Sequence, residues 1–271
     1  MTQTAPTVAD LLRREDSGTR QLRCAWCTLG SAFAAEILAR SGADVVCIDV
    51  EHGLLGWDGA LPSVVTLSAG RVPVLVRVPA GDPLAIMKAL DAGAGGVIVP
   101  HIETAADAAA AVSSCRYPPA GHRSWGPTRA SLFHDGDTFA TNGAVVCIAM
   151  VETRDAIERC AEIAATPGLD AVIVGSNDLA LDLLEDGGSV AAIKESADFE
   201  GLLESAAAAC RSAGILAGAP ILPSIGAARL GELGFGLVVG ASDVALLREA
   251  AQREFAGAGN GASSTTLTVG Y

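Results

Sequence analysis

Short apolar runs alternate along most of the chain with longer segments of helical spacing. A parallel strand is buried on both faces, so it reads as a continuous apolar run rather than as an alternating one. The runs therefore predict eight parallel strands. They cover residues 22–30, 43–50, 72–79, 95–100, 144–152, 169–175, 215–220 and 235–240.

The segments between the runs have the spacing of amphipathic helices, and several end in glycine, which the carboxyl end of a helix prefers. Examples are residues 31–42, 82–93, 104–115, 153–168 and 199–214. Eight strand–helix units without a break in composition predict an α/β fold, a single (β/α)8 TIM barrel, for which about 250 residues suffice. An open doubly wound sheet is the alternative. It is weakened because no G-x-G-x-x-G follows the first strand.

The pattern divides the chain into three parts. Residues 1–20 form an N-terminal leader helix and loop, residues 21–254 the barrel domain, and residues 255–271 a flexible tail of small and polar residues. One long insertion, residues 116–143, follows the fourth unit, and long connections are usually functional or disordered. It is either a solvated loop or a lid over an anionic substrate. Its basic side chains are Arg116, His122, Arg123 and Arg129.

Composition narrows the functional classes. Half of the 271 residues are apolar, which suits one large core, and the net charge of −13 argues against nucleic acid and anionic membranes as partners. The sequence shows neither a signal peptide nor an apolar run long enough to span a membrane. Seven cysteines then predict a cytoplasmic protein with reduced thiols. Cys24 and Cys27 have C-x-x-C spacing but no second pair, so we interpret them as ordinary strand residues.

Two acids mark a candidate metal site. Glu152 ends the fifth apolar run and Asp178 follows the sixth, 26 residues later, which is about one β/α unit. We therefore expect both carboxylates at the carboxyl ends of adjacent strands. Carboxylates that lie close together repel one another, and a divalent cation between them removes the repulsion. The alternative, compatible with the first, is that each acid caps the helix that follows it.

The ends of the second and third strands carry further candidates. His52 follows Asp49 and Glu51, which could orient its imidazole or raise its pKa, as suits a general base. Arg77 lies among apolar residues, where a guanidinium is costly to bury without an anion. It either forms an internal ion pair, with Asp49 or Asp91, or stabilises an enolate. Asp91 lies near a helix end, and its functional role would be as partner of His52 or Arg77.

Several of these segments resemble the HpcH/HpaI aldolase/citrate lyase family, which comprises metal-dependent class II pyruvate aldolases. The resemblance spans roughly residues 22–250 and rests on motifs that are jointly specific. They are GADVVCIDVEHG, VLVRVPAGDPLAIMKALDAGAGGVIVPHIETAADA, RYPPAGHRSWG, VETRDAIERCAEIAATPGLDAVIVGSNDL and ELGFGLVVGASDVALL.

The resemblance implies a barrel of the phosphoenolpyruvate/pyruvate type that exchanges its C-terminal helix with a neighbouring subunit. It implies a homo-oligomer, a hexamer or trimer of dimers. It also implies a divalent cation, Mg2+, Mn2+ or Co2+, held by Glu152 and Asp178 and chelated by a 2-oxo acid.

The resemblance also implies roles for the other candidates. His52 would act as the acid and base, Asp91 would tune it, and Asp49 would support the same cluster. Arg77 would stabilise the pyruvate enolate. The substrate carboxylate would be held by the backbone around residues 175–177, which are Gly175, Ser176 and Asn177.

The sequence departs from the family pattern around the substrate. Met150 stands where members commonly carry Gln, Ser176-Asn177 replaces Pro-Ala, and Ala80-Gly81 replaces Trp-Asn. Because the metal pair, the His and the Arg are kept, we predict reversible retro-aldol cleavage of a 4-hydroxy-2-oxo acid into a pyruvate-type acid and an aldehyde. The alternatives are an oxaloacetate-type decarboxylase, an acyl-CoA-linked lyase, or a non-catalytic barrel scaffold.

Overall fold

Eight parallel strands close into a barrel in the computed structural model, which describes residues 6–13, 20–54, 56–70, 72–134, 137–184 and 188–257. Each strand pairs with the next, and β8 pairs with β1. The predicted (β/α)8 barrel is confirmed, and the open-sheet alternative is wrong. The strands are β1 (Leu22–Cys27), β2 (Val45–Asp49), β3 (Val74–Arg77), β4 (Gly96–Val99), β5 (Val146–Val151), β6 (Ala171–Val174), β7 (Leu216–Pro220) and β8 (Leu237–Ser242).

Helices fill the connections between the strands. Many begin at a residue whose side chain accepts a hydrogen bond from the first turn, as Thr104 does for α5 and Ser196 for α12. The helices are α1 (Val8–Leu12), α2 (Ala32–Arg40), α3 (Trp57–Ser68), α4 (Pro83–Asp91), α5 (Ala105–Cys115), α6 (Ser131–His134), α7 (Thr138–Ala144), α8 (Arg154–Glu158), α9 (Cys160–Ala164), α10 (Ser176–Asp182), α11 (Val190–Lys194), α12 (Ala197–Ala213), α13 (Ala227–Leu233) and α14 (Asp243–Gly257). The helix predicted over residues 153–168 is divided into α8 and α9.

Side chains of each strand alternate between two hydrophobic layers. In β2, Val45 and Cys47 point into the barrel, whereas Val46 and Ile48 pack outward against the helices. A strand that is buried on both faces has no polar side, which is why the sequence shows unbroken apolar runs.

Cys24 faces inward and Cys27 outward, and all seven cysteines are free. Burial raises the pKa of the Cys24 and Cys27 thiols to about 12, which is consistent with ordinary strand residues.

Helix α1 closes the amino-terminal end of the barrel. Val8, Leu11 and Leu12 are buried and join the inner layer of the strands. The part of the predicted leader that the structure describes therefore packs into the barrel core. Residues 14–19 of the leader lie outside the described residues, as do residues 258–271 of the predicted flexible tail.

Within the described ranges, no helix has both the length and the apolar character needed to cross a membrane.

The direction of the chain decides which residues reach the mouth of the barrel. Each strand runs towards the carboxyl end of the barrel, and the helix after it returns the chain to the amino end. Residues that follow a strand therefore lie at the mouth, whereas residues between a helix and the next strand lie at the opposite end. Active sites of (β/α)8 enzymes lie at the carboxyl ends of the strands.

Candidate active site

A cavity of about 190 Å3 opens at the carboxyl ends of the strands. Residues at the ends of β1, β3, β5, β6, β7 and β8 line it. Its polar side chains include those of Arg77, Glu152, Ser176, Asn177, Asp178 and Ser242, and the rest of the wall includes Trp26, Met150, Ile173, Gly175, Pro220 and Val239.

A larger cavity, of about 240 Å3, lies at the amino end between α1 and the strands. Its wall is mostly apolar, with Val8, Val74 and Leu90 among the lining residues. No carboxylate or imidazole of the described residues lines it, so it offers no group for metal or acid–base chemistry. We therefore place the candidate site at the smaller cavity.

Glu152 and Asp178 meet at the mouth as the spacing predicts. Strands β5 and β6 are neighbours, and both acids line the cavity. Glu152 does not cap the following helix, because Thr153 accepts the hydrogen bond from Ala156 N–H. The capping alternative is therefore wrong for Glu152. Asp178 lies in the first turn of α10.

The environment of Glu152 favours a positive partner. Burial raises the pKa of this carboxyl, and the charges of Asp178 and Glu51 raise it further, whereas contacts with His101 oppose the shift. The side chain is 3% exposed, so water does little to stabilise its negative charge. A cation beside Glu152 and Asp178 would offset both burial and repulsion.

Arg77 is held by two acids of β2 and the loop after it. Its Nε lies 2.9 Å from Oδ1 of Asp49 and its Nη2 lies 2.5 Å from Oδ2, a two-pronged pair, while Nη1 lies 2.8 Å from Oε2 of Glu51. The internal ion pair predicted for Arg77 is thus formed with Asp49 and not with Asp91. Burial alone would raise the pKa of Asp49, but the hydrogen bond and charge of Arg77 outweigh it and hold that pKa below its usual value.

Two further side chains fix the face that Arg77 presents to the cavity. The guanidinium carbon lies 5.1 Å from the centre of the Trp26 ring, and Nε1 of Trp26 donates to Oδ2 of Asp49 at 3.2 Å. Sδ of Met150 lies 4.0 Å from Nη1 of Arg77. A thioether is only a weak acceptor, so it leaves Nη1 able to donate to a substrate oxygen.

His52 lies just beyond the end of β2, at the mouth, but it does not line the cavity. Its side chain is exposed, and among the described residues its ring has no hydrogen-bond partner. Asp49 accepts hydrogen bonds from the main-chain N–H groups of Glu51 and His52 instead. Asp49 therefore shapes the loop that carries His52, and the predicted contact with the imidazole is not formed.

The prediction that Asp91 tunes His52 is wrong within this chain. Asp91 is the last residue of α4, and a helix that follows a strand ends at the amino side of the barrel. There its Oδ1 accepts a hydrogen bond from Nη2 of Arg123 at 2.6 Å. Asp91 and His52 are therefore at opposite ends of the strands.

The predicted lid over residues 116–143 is wrong for the same reason. This segment follows α5 and precedes β5, so it lies at the amino end, and its basic residues have separate partners. Arg116 pairs with Asp170, Arg123 with Asp91, Arg129 donates to Ser68 and to the carbonyl of Ala92, and His122 contacts Ser113 and Ser114.

Trp26 and His101 both contact residues of the site, although the sequence predicted no role for either. His101 follows Pro100 directly after β4, and its ring nitrogens lie 3.2 Å from Oε1 of Glu51 and 3.2 Å from Oε2 of Glu152. The rule that located Glu152, a polar residue at a strand end, applies equally to His101. The signal was therefore present in the sequence.

The residues present fit a divalent cation of the kind that prefers oxygen ligands. No group of three His, Cys, Asp or Glu side chains in the described residues forms a ready-made metal cage. Two carboxylates suit Mg2+, which usually takes its other ligands from water and substrate. Ser176 Oγ is buried without a hydrogen-bond partner among the described residues, which leaves a donor for a substrate oxygen.

Fold and site together define a (β/α)8 barrel with an acidic cavity at the carboxyl ends of its strands. Residues 23–225 match the family described as HpcH/HpaI aldolase/citrate lyase, and the chain belongs to that family.

Individual relatives agree with this assignment. The hydroxypyruvate/pyruvate aldolase of Rhizorhabdus wittichii is 36% identical over 86% of this chain and 92% of its own length. The 4-hydroxy-4-methyl-2-oxoglutarate aldolase of Hapsidospora irregularis is 36% identical over 69% of this chain and 70% of its own. The crystal structure of a family protein from Burkholderia cenocepacia superposes with a TM-score of 0.83 and 33% identity, covering 93% of this chain and 98% of that one. The chain is thus a carbon–carbon lyase of the aldolase type. The alternative of a non-catalytic barrel scaffold is therefore wrong.

Proposed function

We propose that this aldolase cleaves a 4-hydroxy-2-oxo acid reversibly to a pyruvate-type 2-oxo acid and an aldehyde, using a divalent cation held by Glu152 and Asp178. One observation carries the proposal. Four carboxylates, those two with Asp49 and Glu51, lie at the mouth, where Arg77 pairs with Asp49 and Glu51 and the ammonium of Lys194 lies near Asp178. The carboxylates therefore outnumber these two cationic side chains. An excess of negative charge in a partly buried site favours a bound cation.

The names of the relatives support the substrate class. The protein from Rhizorhabdus wittichii is named for hydroxypyruvate and pyruvate, and that from Klebsiella pneumoniae, 34% identical over 60% of this chain, is named a 5-keto-4-deoxy-D-glucarate aldolase. The first name gives two 2-oxo acids and the second a deoxy keto acid, so the names agree on keto acids and differ in the compound. We therefore assign pyruvate or hydroxypyruvate as the donor and leave the aldehyde open to experiment.

The cation, Mg2+, Mn2+ or Co2+, would supply positive charge against the oxygens of the 2-oxo acid. Glu152 and Asp178 would hold it at one side of the cavity. Ser176 Oγ and the main chain of Gly175 and Asn177 lie beside Asp178 and would bind the substrate carboxylate.

Arg77 would stabilise the enolate oxygen that develops when the bond between C3 and C4 breaks. The two-pronged contact with Asp49 fixes the plane of the guanidinium, so it need not reorganise during the reaction. Nη1 contacts both Oε2 of Glu51 and Sδ of Met150, and Arg77 and Met150 line the cavity. A fixed donor aimed at developing charge typically contributes about 10²–10³-fold in rate.

His52 would move the proton, directly or through a water molecule. In the cleavage direction the proton leaves the C4 hydroxyl, the C3–C4 bond breaks to give the aldehyde, and C3 of the enolate then takes up a proton. The exposed position of His52 at the mouth allows exchange with solvent. The apolar wall near Ile173, Pro220 and Val239 would hold the carbon chain of the aldehyde.

The proposal is tested by exchange of the pyruvate methyl protons in D2O, because this half-reaction needs no aldehyde. Metal-stripped protein is supplied with Mg2+ or Mn2+, and exchange is followed by proton NMR. We expect metal-dependent exchange in the wild type and its loss in the isosteric variants Glu152→Gln and Asp178→Asn, with calorimetry showing loss of metal binding.

Asp182→Asn is the matched control, because Asp182 lies on the same helix as Asp178 but is exposed. Among the described residues it bonds only the main chain of Arg154. It should behave as the wild type. Metal-independent exchange, or normal exchange in the two site variants, would remove the metal pair from the mechanism.

The rival lyases share the enolate and are separated by their products. Incubation with oxaloacetate tests for release of CO2, and an acyl-CoA thioester tests for the acyl-CoA-linked lyase. Pyruvate or hydroxypyruvate with a panel of aldehydes tests for aldol products. We expect aldol formation to exceed decarboxylation. A reversed preference would assign the decarboxylase alternative.

A further inference from the structure

His101 has an unusual backbone conformation at the site. Its φ is +55°, and among the described residues it is the one non-glycine with a positive φ. L-residues seldom adopt this left-handed region, although His tolerates it better than most. Such strain persists only where the surroundings enforce it, and it is concentrated at functional sites.

The conformation brings two groups of His101 onto one carboxylate oxygen. The main-chain N–H donates to Oε2 of Glu152 at 3.0 Å, and Nδ1 of the ring lies 3.2 Å from the same oxygen. Nε2 lies 3.2 Å from Oε1 of Glu51. The imidazole, 64% exposed, thus bridges two acids that are each less than 10% exposed.

The other side of the Glu152 carboxylate is confined by Gly175. A Cβ added at Gly175 would lie 2.4 Å from Oε1 of Glu152 and 2.6 Å from its Cγ. Gly175 immediately precedes α10, which carries Asp178. The carboxylate is therefore held between His101, on Oε2, and the glycine, so that Oε1 is directed towards the helix of Asp178.

We propose that His101 is a positioning residue that fixes the Glu152 carboxylate for the divalent cation. The inference rests on the proposed function, which makes Glu152 a metal ligand. Carboxylates that bind a metal are themselves held by hydrogen bonds, and loss of such a partner typically weakens metal affinity about 10–100-fold. His101 acts through Glu152 and need not touch the substrate.

Three variants separate the ring from the backbone. His101→Gly removes the imidazole but accepts the positive φ and keeps the main-chain donor to Glu152. His101→Asn also tolerates the left-handed region, but its side chain is too short to bridge the two acids. His101→Gln keeps one amide donor of similar reach and should recover part of the affinity. His122→Asn is the control, because that ring contacts Ser113 and Ser114 at the opposite end of the barrel.

The measurement is the Kd of Mn2+ by calorimetry on metal-stripped protein, with turnover measured against metal concentration. We expect the Kd to rise about 10–100-fold in His101→Gly and His101→Asn. The metal concentration for half-maximal activity should rise in parallel, with kcat at saturating metal close to that of the wild type. His122→Asn should keep the wild-type Kd.

Unchanged Mn2+ affinity in both His101→Gly and His101→Asn would overturn the inference and leave the proposed function standing. A fall in kcat at saturating metal with unchanged affinity would also overturn it, since His101 would then act on the substrate. If the wild type itself bound no divalent cation, the proposed function would fail, and the inference with it.

Discussion

Asp49 is the residue through which the second and third strands share one polar network. Its carboxylate binds Arg77 on the neighbouring strand, Nε1 of Trp26, and the main-chain N–H groups of Glu51 and His52. Asp49 and Arg77 are register partners in the β2–β3 pair. One buried carboxylate therefore fixes both the guanidinium of the site and the loop that carries the imidazole.

Asp49→Asn should destabilise the protein in a pH-dependent way. Removing one partner of a buried ion pair costs roughly 3–5 kcal/mol, and we expect the lower end because Glu51 still pairs with Arg77. The pKa of Asp49 lies below its usual value, so its stabilising effect is complete above about pH 4–5 and disappears as the pH falls through the lowered value. Urea unfolding at pH 7 and pH 3 measures the difference between variant and wild type.

Glu36→Gln is the control for this experiment, because Glu36 and Arg40 form a helical ion pair on the surface. It should change the free energy of unfolding by about 0.3–0.5 kcal/mol at most. A difference between Asp49→Asn and wild type that stays constant down to pH 3 would show that the charge of Asp49 contributes nothing to stability.

Helix α1 shows how a short element acquires its structural role from packing. Five residues are too few for a helix that is stable alone. Thr7 and Asp10 form a capping box at its start, and Val8, Leu11 and Leu12 enter the inner layer of the barrel. The close fit is visible at Gly95, where an added Cβ would lie 2.7 Å from Cγ2 of Val8.

Leu12→Ala should therefore destabilise the barrel although it lies far from the site. Truncating a buried leucine typically costs about 2–5 kcal/mol. Denaturant unfolding measures the loss, and aldol activity under native conditions should be kept. Leu132→Ala is the control, since Leu132 is 74% exposed and should change stability by less than about 0.5 kcal/mol. Equal stability of both variants would show that α1 does not contribute to the barrel core.

The order of elements also explains the two errors of interpretation. Asp91 ends a helix and residues 116–143 precede a strand, so both belong to the amino end of the barrel. The alternation of strand and helix already contains this information. The family resemblance, for Asp91, and the length and basic residues of the insertion were weaker guides than the direction of the chain.

Several large apolar side chains are exposed to solvent on the surface of the single chain. Phe33 and Ile37 on α2, and Leu247 and Phe255 on α14, are exposed, and the two helices contact one another. Exposed apolar side chains on adjoining helices are typical of an interface between subunits. They support the predicted homo-oligomer. The homo-oligomer itself, the exchange of its C-terminal helix and the hexamer stay predictions, as does the cytoplasmic location.

Light scattering should give a molar mass that is a multiple of 27.3 kDa. The double variant Phe33→Ser, Leu247→Ser should lower that mass, because it removes apolar area from the α2–α14 surface. Leu132→Ser, a change of an exposed leucine elsewhere, should leave the mass unaltered. A monomeric wild type at micromolar concentration would contradict the prediction.

The sequence by itself determined the strands, most of the helices, the barrel, and the gathering of Arg77, Glu152 and Asp178 at the mouth. These features follow from local periodicity and from the rule that residues after a strand lie at the mouth of the barrel. Only the tertiary structure decided that Asp49 binds Arg77 through both of its oxygens, that His101 bridges Glu51 and Glu152, and that α1 closes the barrel. Such contacts join segments far apart in sequence, and they depend on the relative position of packed elements, which no local pattern encodes.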